Sequence, residues 1–254
     1  MTRVIAITNQ KGGVGKTTTG INLCASLAKT RRRVLLIDLD PQGNATTGSG
    51  IDREEVEYSI YDVLLKDKRL DETCLETSSG YAIVPSESGL AGIQVELSNA
   101  EDRDHRLKNA IAALPDRFDY IFIDCPPALN VLTINALAAA DSVLIPVQCE
   151  YYALEGLSGL LETIARIREG YNPDLKIEGI LRTMFDGRNS LANEVSDQLH
   201  KHFGDTVFRT KIPRNVRLAE APSYGKAVIE YDPACAGSQA YLALAGELLR
   251  ESDG

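Results

Sequence analysis

The chain has 254 residues, 44% hydrophobic and 25% charged, the make-up of an ordinary globular protein that buries its core without disulfides. A net charge of −9 excludes a surface coated in positive charge for nucleic acid, while leaving room for a local basic patch. No run of about 18 apolar residues occurs, and the opening MTRVIAITNQ reads as a strand rather than a signal or transit segment, so a cytoplasmic protein is expected.

The first predicted strand, 4–8, leads into Asn9-Gln10-Lys11-Gly12-Gly13-Val14-Gly15-Lys16-Thr17-Thr18, and helical periodicity follows over 17–29. Strand, glycine-rich loop and helix in that order form the context of a P-loop. Its glycines let backbone N–H groups turn toward phosphate oxygens, and the helix adds its positive N-terminal end. Gly12, Gly13, Val14, Gly15, Lys16, Thr17 and Thr18 are therefore candidate ATP-binding residues. Lys16 is placed for the β- and γ-phosphates and the Thr17 hydroxyl for Mg²⁺. The regular G-x-x-x-x-G-K-[ST] pattern wants glycine at position 10; this chain has Gln10 there and a second lysine, Lys11, beside it.

The next strand, 33–38, runs into LLIDLDPQGN and brings Asp38 and Asp40 at same-side spacing. Strands follow at 81–85 and 120–124, the latter, YIFID, ending in Asp124 in the manner of a Walker B acid. Ligands in parallel α/β sheets sit at the carboxyl ends of strands, so all three aspartates are expected to converge on the loop. Asp124 is the expected Mg²⁺ partner, through water, and Asp40 can reach the water that attacks the γ-phosphate. Further strands are predicted at 142–148, 176–184 and 206–212, and helices at 105–114, 132–140, 154–169, 191–202 and 235–250. Several strands are apolar throughout, as parallel strands covered on both faces are. The expected fold is a doubly wound, mostly parallel α/β sheet with helices on both faces, in one domain over 1–254.

The five cysteines (Cys24, Cys74, Cys125, Cys149, Cys235) have no metal-ligand spacing and read as reduced, small hydrophobes. His105, His200 and His202 lack partners at ligand spacing.

Lys11 to Thr18, Asp38-Leu-Asp40-Pro-Gln-Gly-Asn and Ile-Asp124-Cys-Pro-Pro together resemble the deviant Walker A ATPases, the group that holds ParA/Soj and MinD. The resemblance continues through PVQCEYYALEGL (146–157) and IPRNVRLAEAPSYGK (212–226) and is strongest to the ParA/Soj branch. It implies a homodimer formed with ATP, in which Lys11 crosses to the partner's phosphates and acts there as an arginine finger does. It also implies that Asp40 positions the attacking water and that Pro213 and Asn215 contact the adenine. Slow hydrolysis accelerated by a ParB-type partner follows from the same resemblance, as does an association with the nucleoid. One departure stands out: Ala236 takes the place of a basic residue that many relatives carry before the glycine.

Residues 201–226 hold Lys201, Arg209, Lys211, Arg214, Arg217 and Lys226 against Asp205 and Glu220, with Arg182 and Arg188 just upstream. This local excess is the candidate site for nonspecific double-stranded DNA. The resemblance singles out Arg188 and Arg217; Lys211 and Arg214 join them on charge. No helix-turn-helix reader precedes the first strand, so sequence-specific binding is not expected. Rival readings are a positioning ATPase for a protein cargo and a MinD-like membrane ATPase. The latter needs a basic amphipathic C-terminal helix, whereas YLALAGELLRESDG ends acidic and polar, so no membrane partner is expected. An iron–sulfur carrier and an ATP-dependent synthetase of the same fold are more distant rivals.

Overall fold

Strand β1 (Arg3–Ile7) leads through α1 (Lys16–Lys29) to β2 (Val34–Asp38). The chain continues through α2 (Asn44–Gly48), α3 (Ile60–Leu65), β3 (Leu75–Glu76), β4 (Ala82–Val84), α4 (Ile93–Glu96), α5 (Arg106–Ala112) and β5 (Tyr120–Asp124). Then come α6 (Val131–Ala139), β6 (Ser142–Gln148), α7 (Ala153–Gly170), β7 (Lys176–Phe185), α8 (Ser190–Phe203) and β8 (Val207–Pro213). Helices α9 (Val216–Glu220), α10 (Val228–Tyr231) and α11 (Ala236–Ser252) follow. The structure, a computed structural model, describes residues 2–98, 100–115 and 117–252.

The eight strands form one sheet in the order β3-β4-β2-β5-β1-β6-β7-β8. Every pairing is parallel except β3 with β4. Along β1, Val4 and Ala6 pack on one side of the sheet with residues of α6 and α7, while Ile5 and Ile7 pack on the other with α1 and α11. Successive side chains of a strand point to opposite faces, so an apolar strand must be covered twice. That is why VLLID and YIFID, buried at every position, show no alternation of apolar and polar residues.

The seven predicted strands are all present, two of them, β5 and β6, with the expected ends. Strand β3 was not anticipated, because two residues carry no periodicity. The short helices α2, α3, α4, α9 and α10, of four to six residues, fall below the length at which a 3.6-residue repeat can be read. At the border strand β8, the Glu247 carboxylate of α11 accepts the backbone N–H groups of Arg209 (2.6 Å) and Thr210 (3.0 Å).

Candidate functional site

Ile7, the last residue of β1, lies in register with Asp124, and Asp124 in register with Asp38. Loop 8–15 thus rises from the carboxyl edge of the sheet between β5 and β6, the point where successive strands switch from one side of β1 to the other. Buried side chains hold it there. Asn9 Nδ2 donates to the Pro146 carbonyl (2.8 Å), Asn9 Oδ1 accepts the Lys11 N–H (2.9 Å), and Thr183 Oγ1 donates to the Val14 carbonyl (2.7 Å). Gln10, at the position where the regular pattern has glycine, donates to Thr163 Oγ1 of α7 at 3.0 Å and so ties the loop to a neighbouring helix.

Gly13 (φ 74°) and Gly15 (φ 88°) adopt left-handed backbone conformations that side chains disfavour. A Cβ built on Gly12 or Gly13 would meet no atom within 4 Å, so open space lies against this stretch of backbone. Val14 differs: the whole residue is 1% exposed, its carbonyl is taken by Thr183, and it does not line the open space beside the loop. Gly12, Gly13, Gly15, Lys16, Thr17 and Thr18 line a cleft of ≈ 980 Å³ whose other walls include Asp40, Pro213 and Asn215. A smaller cavity of ≈ 170 Å³ lies against α3 and α5, where Arg106 is already paired with Asp67 and Asp102.

Lys16 is buried, with Nζ 3.2 Å from the Lys11 carbonyl. Burial lowers its pKa, opposed by the charges of Asp124 and Asp40. Thr17 Oγ1 donates to Asp124 Oδ2 at 2.7 Å. Asp124 is fully buried, and its Oδ1 has no hydrogen-bond partner. Burial pushes this carboxyl well above the usual carboxylate range, the Asp38 carboxylate adds to the rise, and the Thr17 hydroxyl and Lys16 oppose it. A buried carboxylate oxygen without a donor calls for positive charge or a bound water. An open glycine cradle, a buried lysine, a threonine hydroxyl and this orphaned oxygen fit a nucleoside triphosphate with Mg²⁺. Among the described residues no group of three or more His, Cys, Asp or Glu could hold a metal ion.

Three expectations need correction. Asp38 reaches the strand ends beside Asp124 but does not line the cleft with Asp40. Strand β2 ends at Asp38, so two-residue spacing no longer puts Asp40 on the same side. Asp38 is 0% exposed, accepts hydrogen bonds from Asp40 N (3.1 Å) and from Thr46 N (2.8 Å) and Oγ1 (2.7 Å), and is pushed by burial to about 6. Arg182 cannot belong to a basic surface, because it is 1% exposed within β7 and donates to Ser196 Oγ (2.9 Å) and the Phe208 carbonyl. The cation excess of 201–226 is also smaller than a count implies. Arg217 pairs with Glu220 (2.8 Å) and Asp232 (3.3 Å), and Lys226 with Glu230 (3.5 Å).

The remaining candidates fall as follows. Lys11 turns away from its own cleft, its Nζ 2.7 Å from Glu150 and both side chains about half exposed (43% and 47%). Arg188, exposed, is 2.8 Å from Asp186. Lys211 lies 4.3 Å over the Phe185 ring, and Arg214 is exposed at the cleft mouth. Asn215 caps α9 through its Oδ1, which accepts the Arg217 N–H at 2.9 Å. Sequence reasoning missed Asn9, Glu150 and Thr183, whose contacts span 137, 139 and 169 residues and leave no local signal. The cysteines are free, with Cys24, Cys125 and Cys149 buried. Among the described residues no helix is long and apolar enough to cross a membrane. Asp253 and Gly254, part of the acidic C-terminal tip, lie outside the described residues.

A family model described as an AAA domain matches residues 2–177. The chain is 54% identical over 249 residues to the chromosome partitioning protein ParA of Myxococcus xanthus, covering 98% of this chain and 88% of that one. It is 53% identical over 249 residues to the sporulation initiation inhibitor protein Soj of Bacillus subtilis, covering 98% of each. Among solved structures, cobyrinic acid a,c-diamide synthase from Mycobacterium smegmatis with bound ADP and magnesium superposes with a TM-score of 0.89 at 38% identity, covering 100% of this chain and 96% of that one. The septum site-determining protein MinD of Pyrococcus horikoshii, complexed with Mg-ADP, gives 0.79 at 26% identity, covering 99% and 98%.

Proposed function

The chain belongs to the ParA/Soj family of chromosome-partitioning P-loop ATPases, and from that footing we propose that it hydrolyses ATP slowly as a nucleotide-switched homodimer whose ATP form binds DNA without sequence preference. A ParB-type protein accelerates hydrolysis and thereby releases the DNA. Residues 1–254 work as one ATPase unit, acting on the nucleoid. The observation that carries it is the cleft in which Asp40 stands beside Lys16 and Thr17, with the orphaned oxygen of Asp124 beneath.

Backbone N–H groups of 12–15 and the Lys16 ammonium take up the charge of the β- and γ-phosphates. Thr17 Oγ1 and, through water, Asp124 would hold Mg²⁺, which when bound neutralises phosphate charge. Asp40 orients the attacking water and accepts its proton. Pro213 and Asn215, at the far wall of the cleft, take the adenine.

Lys11 supplies the link between protomers. Its pair with Glu150 is half exposed, and such surface pairs contribute about 0–1 kcal/mol. That is small against charge-assisted contacts to a partner's phosphates, so Lys11 can exchange one for the other when a second ATP-loaded copy approaches. Dimerisation then doubles the exposed cations presented to one duplex, among them Arg188, Arg214, Arg217 and Lys211, and avidity rather than a new contact makes DNA binding ATP-dependent.

Sedimentation of the protein with and without duplex DNA, in ATP, in ADP and as the Asp40→Ala variant in ATP, tests this. A dimer that co-sediments with DNA in ATP and in the variant, and a DNA-free monomer in ADP, is the expected result. Equal DNA binding in all nucleotide states would remove the switch.

A further inference from the structure

We propose that Asp38, Thr46 and Ser86 form a buried clamp that fixes the backbone of Asp40 and so aims its carboxylate at the water that attacks the γ-phosphate; the proposal rests on the role given above to Asp40.

All three residues are 0% exposed and none lines the cleft. They come from three places, the end of β2, the middle of α2 and the segment just after β4. Asp38 Oδ1 accepts the Asp40 N–H (3.1 Å), and Ser86 Oγ donates to the Asp40 carbonyl (2.7 Å). Both backbone polar groups of Asp40 are thus held by buried side chains, and the Gly43 N–H adds a second bond to the same carbonyl (2.9 Å). Thr46 connects the two halves. Its N–H and Oγ1 donate to Asp38 Oδ2 (2.8 and 2.7 Å), and its Oγ1 accepts the Ser86 N–H (2.9 Å). Asp40 Oδ1 in turn accepts the Gln42 N–H at 3.0 Å, which sets the side chain relative to the backbone already held.

A buried carboxylate with no cation in hydrogen-bond contact is an expensive way to close a turn, since an apolar side chain of similar size could fill the same space. The expense is understandable if what matters is where the next-but-one residue stands. A water-positioning group displaced by about 1 Å loses on the order of a hundredfold in rate, so rigidity beneath Asp40 acts on turnover more than on nucleotide affinity. A bond network that merely staples α2 to the sheet would leave the rate alone once the protein is folded.

Ser86→Ala and Thr46→Val remove clamp hydroxyls; Thr46→Ser keeps one. For Ser86→Ala and Thr46→Val, kcat for ATP should fall about tenfold while the dissociation constant for ATP stays within about twofold, and Thr46→Ser should restore kcat to within about twofold of wild type. In the nucleotide-free protein, amide hydrogen exchange at Asp40 and Gly43 should quicken about tenfold in Ser86→Ala. Asp40→Ala is measured in parallel. If Asp40→Ala is inactive while Ser86→Ala hydrolyses and exchanges like wild type, the clamp is overturned and the role of Asp40 stands. If Asp40→Ala turns over normally, that role falls and the clamp's catalytic meaning with it. A loss of ATP affinity in step with kcat also overturns the proposal. Should Thr46→Val fail to fold, Ser86→Ala alone decides.

Discussion

The carboxyl ends of β1, β2 and β5 and the basic segment 201–226 were both picked out as functional, yet they are built in opposite ways. At the strand ends, Asn9, Lys16, Asp38 and Asp124 are buried, and hydrogen bonds lock the loop to Pro146, Thr17 to Asp124 and Asp38 to Thr46. In the basic segment and just upstream of it, Arg188 and Arg217 stand in solvent and pair with acids two or three residues away, and Arg182 is inside the protein. A site whose atoms are held by burial tolerates little change. A surface whose charges are shared with neighbours can be tuned in either direction.

The sharpest way to break that contrast is Lys16→Ala, which removes the buried cation of the cleft. Affinity for ATP should fall about a thousandfold by calorimetric titration, as loss of a charge-assisted phosphate contact implies, while Arg188→Ala leaves it within about twofold. Asp40→Ala comes next: kcat should drop about a hundredfold with nucleotide affinity retained, leaving an ATP dimer trapped in sedimentation. A variant that still releases phosphate at the wild-type rate would move the water-positioning role elsewhere.

A third measurement probes burial itself. The folded Asp38 carboxyl, at about 6, holds a proton that an unfolded aspartic acid near 3.9 releases. Its contribution to stability is therefore complete below about pH 4 and is lost as the pH rises through about 6. Asp38→Asn cannot titrate, so from pH 4 to pH 7 the stability of wild type relative to the variant should decline by about 2 kcal/mol in urea unfolding of the nucleotide-free protein. A difference that stays flat with pH would mean Asp38 titrates as an exposed aspartate does. The smallest effects belong to the surface. Neutralising a masking acid, Asp186→Asn or Glu220→Gln, should raise affinity for random duplex about threefold in the ATP state, and Arg188→Ala with Arg217→Ala should lower it and flatten its salt dependence by about two ions. Fluorescence anisotropy across a salt series reads both; unchanged affinity in every variant would place the DNA contacts on another face.

The same contrast explains what could be read beforehand. Glycine spacing around Lys16 and the apolar runs ending in Asp38 and Asp124 are local patterns, and they located the loop and two strand ends to within a residue. Asp38 was misplaced because strand periodicity was carried past the last strand residue. Arg182 was miscounted because charge along a sequence says nothing of which face of β7 is covered. The bond from Gln10 to Thr163 and that from Lys11 to Glu150, 153 and 139 residues apart, depend on α7 and the end of β6 folding back beside the loop. No window of sequence contains both partners.

Glu247, the residue that engages two amides of β8, bears on how the border of the sheet meets other extended chains. A sheet that is not closed into a barrel has two borders, and a border with idle amides recruits any extended chain that drifts by, which is how proteins clump without regulation. Here one border is occupied by a carboxylate from the final helix, and the other is a strand only two residues long. Both ends of the sheet are thereby poor templates for unplanned strand pairing.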